Sequence, residues 1–336
     1  MTTEEYQDLE EAQKSRAAAC IRGASRIAIA CHVNPDGDAL GSMLGLGLAI
    51  EAGFPEKSVT FLAQDGVPFI YRFLPGTDRI LTGPPIGEID LAIVVDSGDI
   101  ARVGSAIAPV LSAAPVVLDI DHHVGEGSFG SVRLLDNRAA ATAEIVFDLL
   151  CELALPITTE IATCLFTGVI TDTGSFRFMN VTPRTLRVAA SLIESGASPA
   201  LIAEQVFDNR PYEATRLMGL ALSTLSRTPD GRVTWATVSR EAFEAAGASD
   251  EDTEGFVNPV RAVRGAEVAL LFREVQVGRV RISLRSTDKV DVSRVAARFG
   301  GGGHRMASGC TYNGSLAEAV ATVVAAVVEA LDGLPL

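Results

Sequence analysis

The sequence predicts an α/β protein. It has an N-terminal domain with a mostly parallel sheet flanked by helices, a helical connector, and a smaller C-terminal α/β domain. Three observations predict this. The runs RIAIA, SVTFLA, DLAIVVD and APVVLDID are short, continuous and apolar, and they alternate with segments of helical length. That is the pattern of strands covered on both faces. A stretch of purely helical pattern follows from Pro183, and after Pro229-Asp230-Gly231 the pattern changes to alternation. The chain of 336 residues is long enough for two domains with substantial cores.

Taken in order, residues 3–22 read as an amphipathic helix, and Arg26–Ala30 as a strand running into the turn-rich HVNPDGD. DALGSMLGLGLAIEAG then reads as a helix ending at Gly53. The three further apolar runs are strands. ATAEIVFDLLCELA and TTEIATCLFTGVITD are helices, the second with Thr158 and Thr159 as candidate caps. TLRVAASLIESG, LIAEQVFDN and YEATRLMGLALSTL form the connector. In the last domain RVTWATVS alternates, AEVALLFREV and GRVRISLRS form a hairpin around Val277-Gly278, and VDVSRVAARF is helical. Four glycines, Gly300 to Gly303, precede a closing Ala/Val-rich helix. The boundaries are 20–182, 183–229 and 230–336.

A formal charge of −14 disfavours a sequence-blind binder of long nucleic acid. The five cysteines are scattered without a C-x-x-C pair, which opposes a disulfide framework or a thiolate zinc site and suits buried thiols in a reducing compartment. The acidic start MTTEEYQDLEE has no apolar core, and the most apolar stretch, AVATVVAAVVEAL, is too short to span a bilayer. A cytoplasmic protein without a membrane partner is expected.

The chemistry concentrates in acids and histidines. His32, Asp36 and Asp38 follow the first strand, Asp96 and Asp99 close the third, Asp119, Asp121, His122 and His123 close the fourth, and Asp172 follows the apolar run TGVI. In an open parallel sheet, the carboxyl ends of the strands share one edge, where ligands bind. HVNPDGD alone could be a turn and a lone Asp a helix cap. Convergence of four segments on one edge points instead to a site. Carboxylates at this density repel unless a cation sits among them. Asp and His donors without thiolate suit Mn²⁺, Mg²⁺ or Fe²⁺, and a two-metal centre sharing one carboxylate suits in-line displacement at phosphorus.

The segments His32-Val33-Asn34-Pro35-Asp36-Gly37-Asp38-Ala39-Leu40-Gly41-Ser42, Asp96, Asp121-His122-His123 and Asp172 resemble the successive motifs of the DHH phosphoesterase superfamily. Gly300–Gly303 with His304, Arg305, Met306, Ala307, Ser308 and Gly309 resembles the glycine-rich signature of the domain that accompanies DHH in one subfamily. That subfamily includes bacterial nano-RNases that also dephosphorylate 3′-phosphoadenosine-5′-phosphate (pAp), and some members cleave cyclic di-AMP or its linear product. The resemblance implies two divalent metal ions, usually Mn²⁺. His32, Asp36 and Asp96 would hold one, and Asp38, Asp96, His122 and Asp172 the other, with Asp96 bridging. It implies that His123 contacts the scissile phosphate and that Asp121 orients a histidine or anchors the loop. Ser308, where alanine is common, adds a donor.

From Val257 to Gly309 the charge reverses, with ten basic residues, Arg273, Arg281, Arg285 and Arg305 among them, against four acids. A glycine run lets backbone amides approach a phosphate. Arg285, Gly301, Gly302, Gly303, His304, Arg305 and Ser308 are therefore the candidate holders of the substrate's non-reacting end. The expectation is a metal-dependent phosphoesterase of short RNA oligonucleotides and pAp, with cyclic or linear di-AMP as further candidates. The Leu- and Met-rich RLMGLALSTL offers a homodimer surface. The alternatives are a DHH-family pyrophosphatase or polyphosphatase, or a nucleotide-binding regulator with a decayed site.

Overall fold

In the computed structural model, residues 3–123, 129–287, 290–303 and 305–333 are described. His304 lies outside them. The chain divides into two compact units, residues 1–209 and 210–336.

Unit 1 contains α1 (Thr3–Gly23), β1 (Arg26–Ala30), α2 (Gly37–Gly53), β2 (Ser58–Leu62), β3 (Leu91–Val95), α3 (Ala108–Ser112), β4 (Val116–Asp121), β5 (Val132–Leu135), α4 (Thr142–Leu153), α5 (Thr159–Asp172), α6 (Pro183–Glu194) and α7 (Pro199–Ala203). Its five strands pair in the order β2-β1-β3-β4-β5, all parallel. Both faces are covered, as the continuous apolar runs predict. Alternate residues such as Ile27, Ile29, Ile93, Val95 and Ile120 join a large core with α1, α2, α4 and α5. Their neighbours Ala28, Ala30, Ala92 and Val94 pack under Val103, Ile107 and Leu111 on the other face. The pairing order reverses direction between β1 and β3, and this is where an open α/β sheet forms its crevice.

The pattern missed β5, whose four residues VRLL include only one buried position. Asp172 is the last residue of α5, the helix read from TTEIATCLFTGVITD. Thr158 caps α5 by accepting from the Ile161 amide. The α7 segment continues into one π-helical turn over Glu204–Asp208.

Unit 2 contains α8 (Tyr212–Ser223), β6 (Ser226–Arg227), β7 (Val233–Val238), α9 (Arg240–Ala246), α10 (Val257–Arg261), β8 (Val268–Gln276), β9 (Arg279–Ser286), α11 (Val292–Ala297), β10 (Gly302–Gly303), β11 (Ala307–Asn313) and α12 (Leu316–Asp332). The six strands pair as β10-β11-β9-β8-β7-β6, and only β7 and β8 run parallel. The β8–β9 hairpin turns at Gly278, which adopts φ +74°. One face of the sheet packs on α11 and α12. The other packs on α8, α9 and α10.

The glycine run is not a plain loop, because Gly302 and Gly303 pair antiparallel with Gly309 and Ser308. Cys31, Cys164 and Cys310 are buried as expected, whereas Cys151 is exposed and Cys20 half-buried. Among the described residues no helix is long and apolar enough to cross a membrane.

Candidate active site

The predicted residues of unit 1 converge at the carboxyl edge of its sheet. His32 follows β1, Asp96 follows β3, His122 follows β4, and Asp36 and Asp38 open α2. Asp172 reaches the same place from the end of α5, which packs closely along α2. Three overlapping groups emerge: His32, Asp36 and Asp96; Asp96, His122 and His123; and Asp38, His122 and Asp172. In each group the candidate ligand atoms lie within 4.8 Å of one another.

Asp96 stands between the halves. Its Oδ2 is 3.6 Å from His32 Nε2, and its Oδ1 is 3.5 Å from both His122 Nε2 and His123 Nδ1. The residue is buried and adopts φ +57°, a conformation that costs a non-glycine residue energy and that clusters at functional sites. His122 Nε2 also lies 3.4 Å from Asp172 and 4.0 Å from Asp38. Asp36 answers both readings of its loop. Its Oδ1 caps α2 through the Asp38 and Ala39 amides and lies 4.0 Å from His32 Nε2.

Each of the three described histidines has its Nδ1 engaged. His32 Nδ1 donates to the Val33 carbonyl at 2.8 Å, and His122 Nδ1 to the Ala139 carbonyl at 3.2 Å. These bonds turn both Nε2 atoms toward the carboxylates, the arrangement of a metal-ligating imidazole. His123 Nδ1 is held by Asp121 at 2.5 Å. Asp99, by contrast, caps the turn at Ile100–Val103 and joins none of the three groups.

The electrostatics ask for positive charge. Burial disfavours the charged form of His32 and His122, yet Asp96, Asp36 and Asp172 raise their pKa values to about 9 and about 10. Burial lifts Asp172 to about 7, and burial with the charges of Asp96 and Asp172 pushes Asp38 up. Crowded carboxylates and imidazoles with oriented Nε2 atoms fit divalent cations that accept mixed oxygen and nitrogen donors. Cys31 lies next to His32 in sequence, but burial pushes its thiol well above the usual range, so thiolate ligation is opposed.

One contributor was not legible in the sequence. Thr142, fully buried at the start of α4, donates from Oγ1 to Asp96 Oδ1 at 2.9 Å. Its amide and that of Ala143 donate to the two oxygens of Asp38, at 2.6 and 2.9 Å. The residue preceding α4, Ala141, supplies no side-chain cap. Asp38 does that work from 104 residues away. A helix beginning on alanine is the signal that a remote cap must exist. Gly168 leaves room for this seat, because a Cβ there would lie 2.7 Å from both Asp38 Oδ1 and the Ala143 Cβ.

In unit 2, Arg285 lies on β9 opposite Ala307 of β11, and β10 pairs on the far side of β11. Arg285, Ser308 and the glycines thus share one end of the sheet. The glycines divide by role. A Cβ on Gly301 would meet the Gly309 carbonyl at 2.1 Å, and one on Gly303 the Ala307 carbonyl at 2.6 Å, so both are needed for strand pairing. Gly302 is exposed with open space around it. Of the arginines counted for charge, Arg273 and Arg281 both pair with Asp250, an acid outside the basic stretch.

Residues 26–169 match the DHH family, N-terminal domain, and residues 232–332 match the DHHA1 domain. The chain is 38% identical to the bifunctional oligoribonuclease and PAP phosphatase NrnA of Thermus thermophilus, over 91% of this chain and 90% of the relative. It is 25% identical to the protein of that name from Bacillus subtilis, over 83% of this chain and 87% of the relative. Among solved structures, an exopolyphosphatase-related protein from Bacteroides fragilis superposes with a TM-score of 0.87 at 28% identity, covering 96% of each chain. RecJ of Thermus thermophilus, crystallised with Mn²⁺, shares the fold at a TM-score of 0.55 and 13% identity, over 96% of this chain and 55% of that one.

Proposed function

Because the chain belongs to the DHH family and carries a DHHA1 domain after its DHH domain, we propose that it is a hydrolase of very short oligoribonucleotides and of pAp. The observation that carries this reading is full-length similarity to a bifunctional oligoribonuclease and PAP phosphatase, 38% over 91% of the chain. Water adds to phosphorus and the P–O bond to the ribose oxygen breaks. A dinucleotide gives two mononucleotides, and pAp gives AMP and phosphate.

In this reading His32, Asp36 and Asp96 hold one divalent cation, and Asp38, Asp96, His122 and Asp172 a second. The mixed donors suit Mn²⁺, Mg²⁺ or Fe²⁺, and the family resemblance favours Mn²⁺ among them. When bound, the cations supply charge stabilisation for displacement at phosphorus. The protein's own groups do the rest. Asp121 holds Nδ1 of His123 and so fixes the orientation in which the ring meets the phosphate. In unit 2, Arg285, Arg305, Ser308 and the open backbone at Gly302 hold the remote phosphate or base. His304 completes that set by its place in the sequence.

The test is a substrate panel. The chain is stripped with chelator, Mn²⁺ is added back, and products are profiled from pAp, a diribonucleotide, cyclic di-AMP and pyrophosphate. Hydrolysis of pAp and the dinucleotide, lost on stripping and restored by Mn²⁺, is expected. Turnover of pyrophosphate alone would make the chain a pyrophosphatase. No turnover of any substrate would make it a binding protein.

A further inference from the structure

Asp96 must present one carboxylate oxygen to each half of the cluster, and a carboxylate does not do this unaided. The terminal torsion of Asp is broad and roughly two-fold. Rotation about it would carry Oδ1 away from His122 and Oδ2 away from His32, which they approach at 3.5 and 3.6 Å. The Thr142 hydroxyl lies 2.9 Å from Oδ1 and is fully buried. It is not used to cap α4, and its β-branched side chain is restricted at χ1. The same residue's amide holds Asp38, so Thr142 touches the shared carboxylate and one of the second half.

We infer that Thr142 is a positioning residue that sets the rotation of the Asp96 carboxylate, so that its two oxygens serve the two halves of the cluster. The inference rests on the reading of the cluster as a two-cation site. Its content is that the hydroxyl, more than the packing of the side chain, determines how well the cluster binds.

The test uses the full chain without substrate. Chelator-treated wild type, Thr142→Val and Thr142→Ser are titrated with Mn²⁺ by calorimetry. Valine keeps the shape and removes the donor, whereas serine keeps the donor. Thr142→Val should bind Mn²⁺ about 10–100-fold more weakly, and Thr142→Ser should return to within about threefold of wild type. With pAp, Thr142→Val should lower kcat at saturating Mn²⁺ and leave KM within about twofold, because the donor acts on the bridging carboxylate and not on the remote end. A purely structural role would lower the melting temperature in chelator and leave Mn²⁺ affinity unchanged. If Thr142→Val does not fold, Thr142→Ala takes its place in the same comparison. Wild-type affinity in a folded variant without the hydroxyl, or no recovery with serine, would overturn the inference. Failure of the wild type itself to bind Mn²⁺ would overturn the two-cation reading and this inference with it.

Discussion

Asp96 holds φ +57° at the end of a fully buried strand, in a conformation that asparagine tolerates as well as aspartate. Asp96→Asn therefore keeps the backbone and removes the charge that both halves of the cluster share. We expect a folded protein whose turnover falls about a hundredfold or more, since the cations it would help hold supply several kcal/mol of charge stabilisation. Circular dichroism with pAp kinetics checks this, and near-normal turnover by a metal-depleted variant would contradict the site. Asp136 offers a second residue-scale test. Burial pushes its carboxyl up, but Arg184 at 2.5 Å and the backbone and guanidinium of Arg138 hold it below its ordinary value. A lowered folded-state pKa adds stability that is complete above the unfolded value, about 3.9, and is lost as pH falls through the folded one. Asp136→Asn should cost about 1–3 kcal/mol at neutral pH. That gap should begin to narrow at about pH 4, where the unfolded carboxylate takes up its proton, and close only as pH falls below the lowered folded-state value. Urea melts across pH measure it.

Helices α2 and α5 approach so closely that a Cβ on Gly41 would lie 2.3 Å from the Cys164 carbonyl. Gly41→Ala must force the helices apart, and overpacking of this kind costs about 1–3 kcal/mol. Because α2 carries Asp38 and α5 carries Asp172, Mn²⁺ affinity should fall together with stability; loss of stability alone would show that the site tolerates the shift. Element scale is also where the sequence was most and least readable. The strands β1, β3 and β4 are continuous apolar runs, and they brought His32, Asp96 and His122 to one edge without any knowledge of contacts. The short β5 carries no such run. The pairing of Gly302–Gly303 depends on Ser308 and Gly309 lying opposite, which no local pattern displays. Asp172 lies beside Asp38 and His122 at the end of a helix, a support that no strand-end pattern would single out. Thr142 was invisible because its acceptor is 46 residues away.

At the scale of the molecule, a charge of −14 bears on which substrates can approach. A di- or trinucleotide brings few phosphates, whereas a long strand must carry many past an acidic surface. Repulsion reaches about 30 Å at 0.01 M salt and about 10 Å at 0.1 M. The efficiency kcat/KM should fall steeply beyond a few nucleotides, and raising salt should narrow the gap between short and long substrates. A ladder of 5′-labelled RNAs at two salt concentrations measures both effects. Equal efficiency on a dinucleotide and on a strand of about twenty nucleotides would remove charge as a basis for length selection.

The cluster's residues are also separated in time. His32 is near the start of the chain and Asp172 lies 140 residues later, as 172 − 32 shows. A ribosome adding about 5–20 residues per second releases the last of them about 7–28 seconds after the first. During that interval β1, β2 and β3 have been made, while the helix that ends in Asp172 is still being made. Parallel pairing is itself slow, because its contacts are distant in sequence. A nascent chain therefore passes through a period in which its acids and imidazoles are exposed but incomplete. The cluster is complete only when α5 has docked on α2, and unit 2 follows later still.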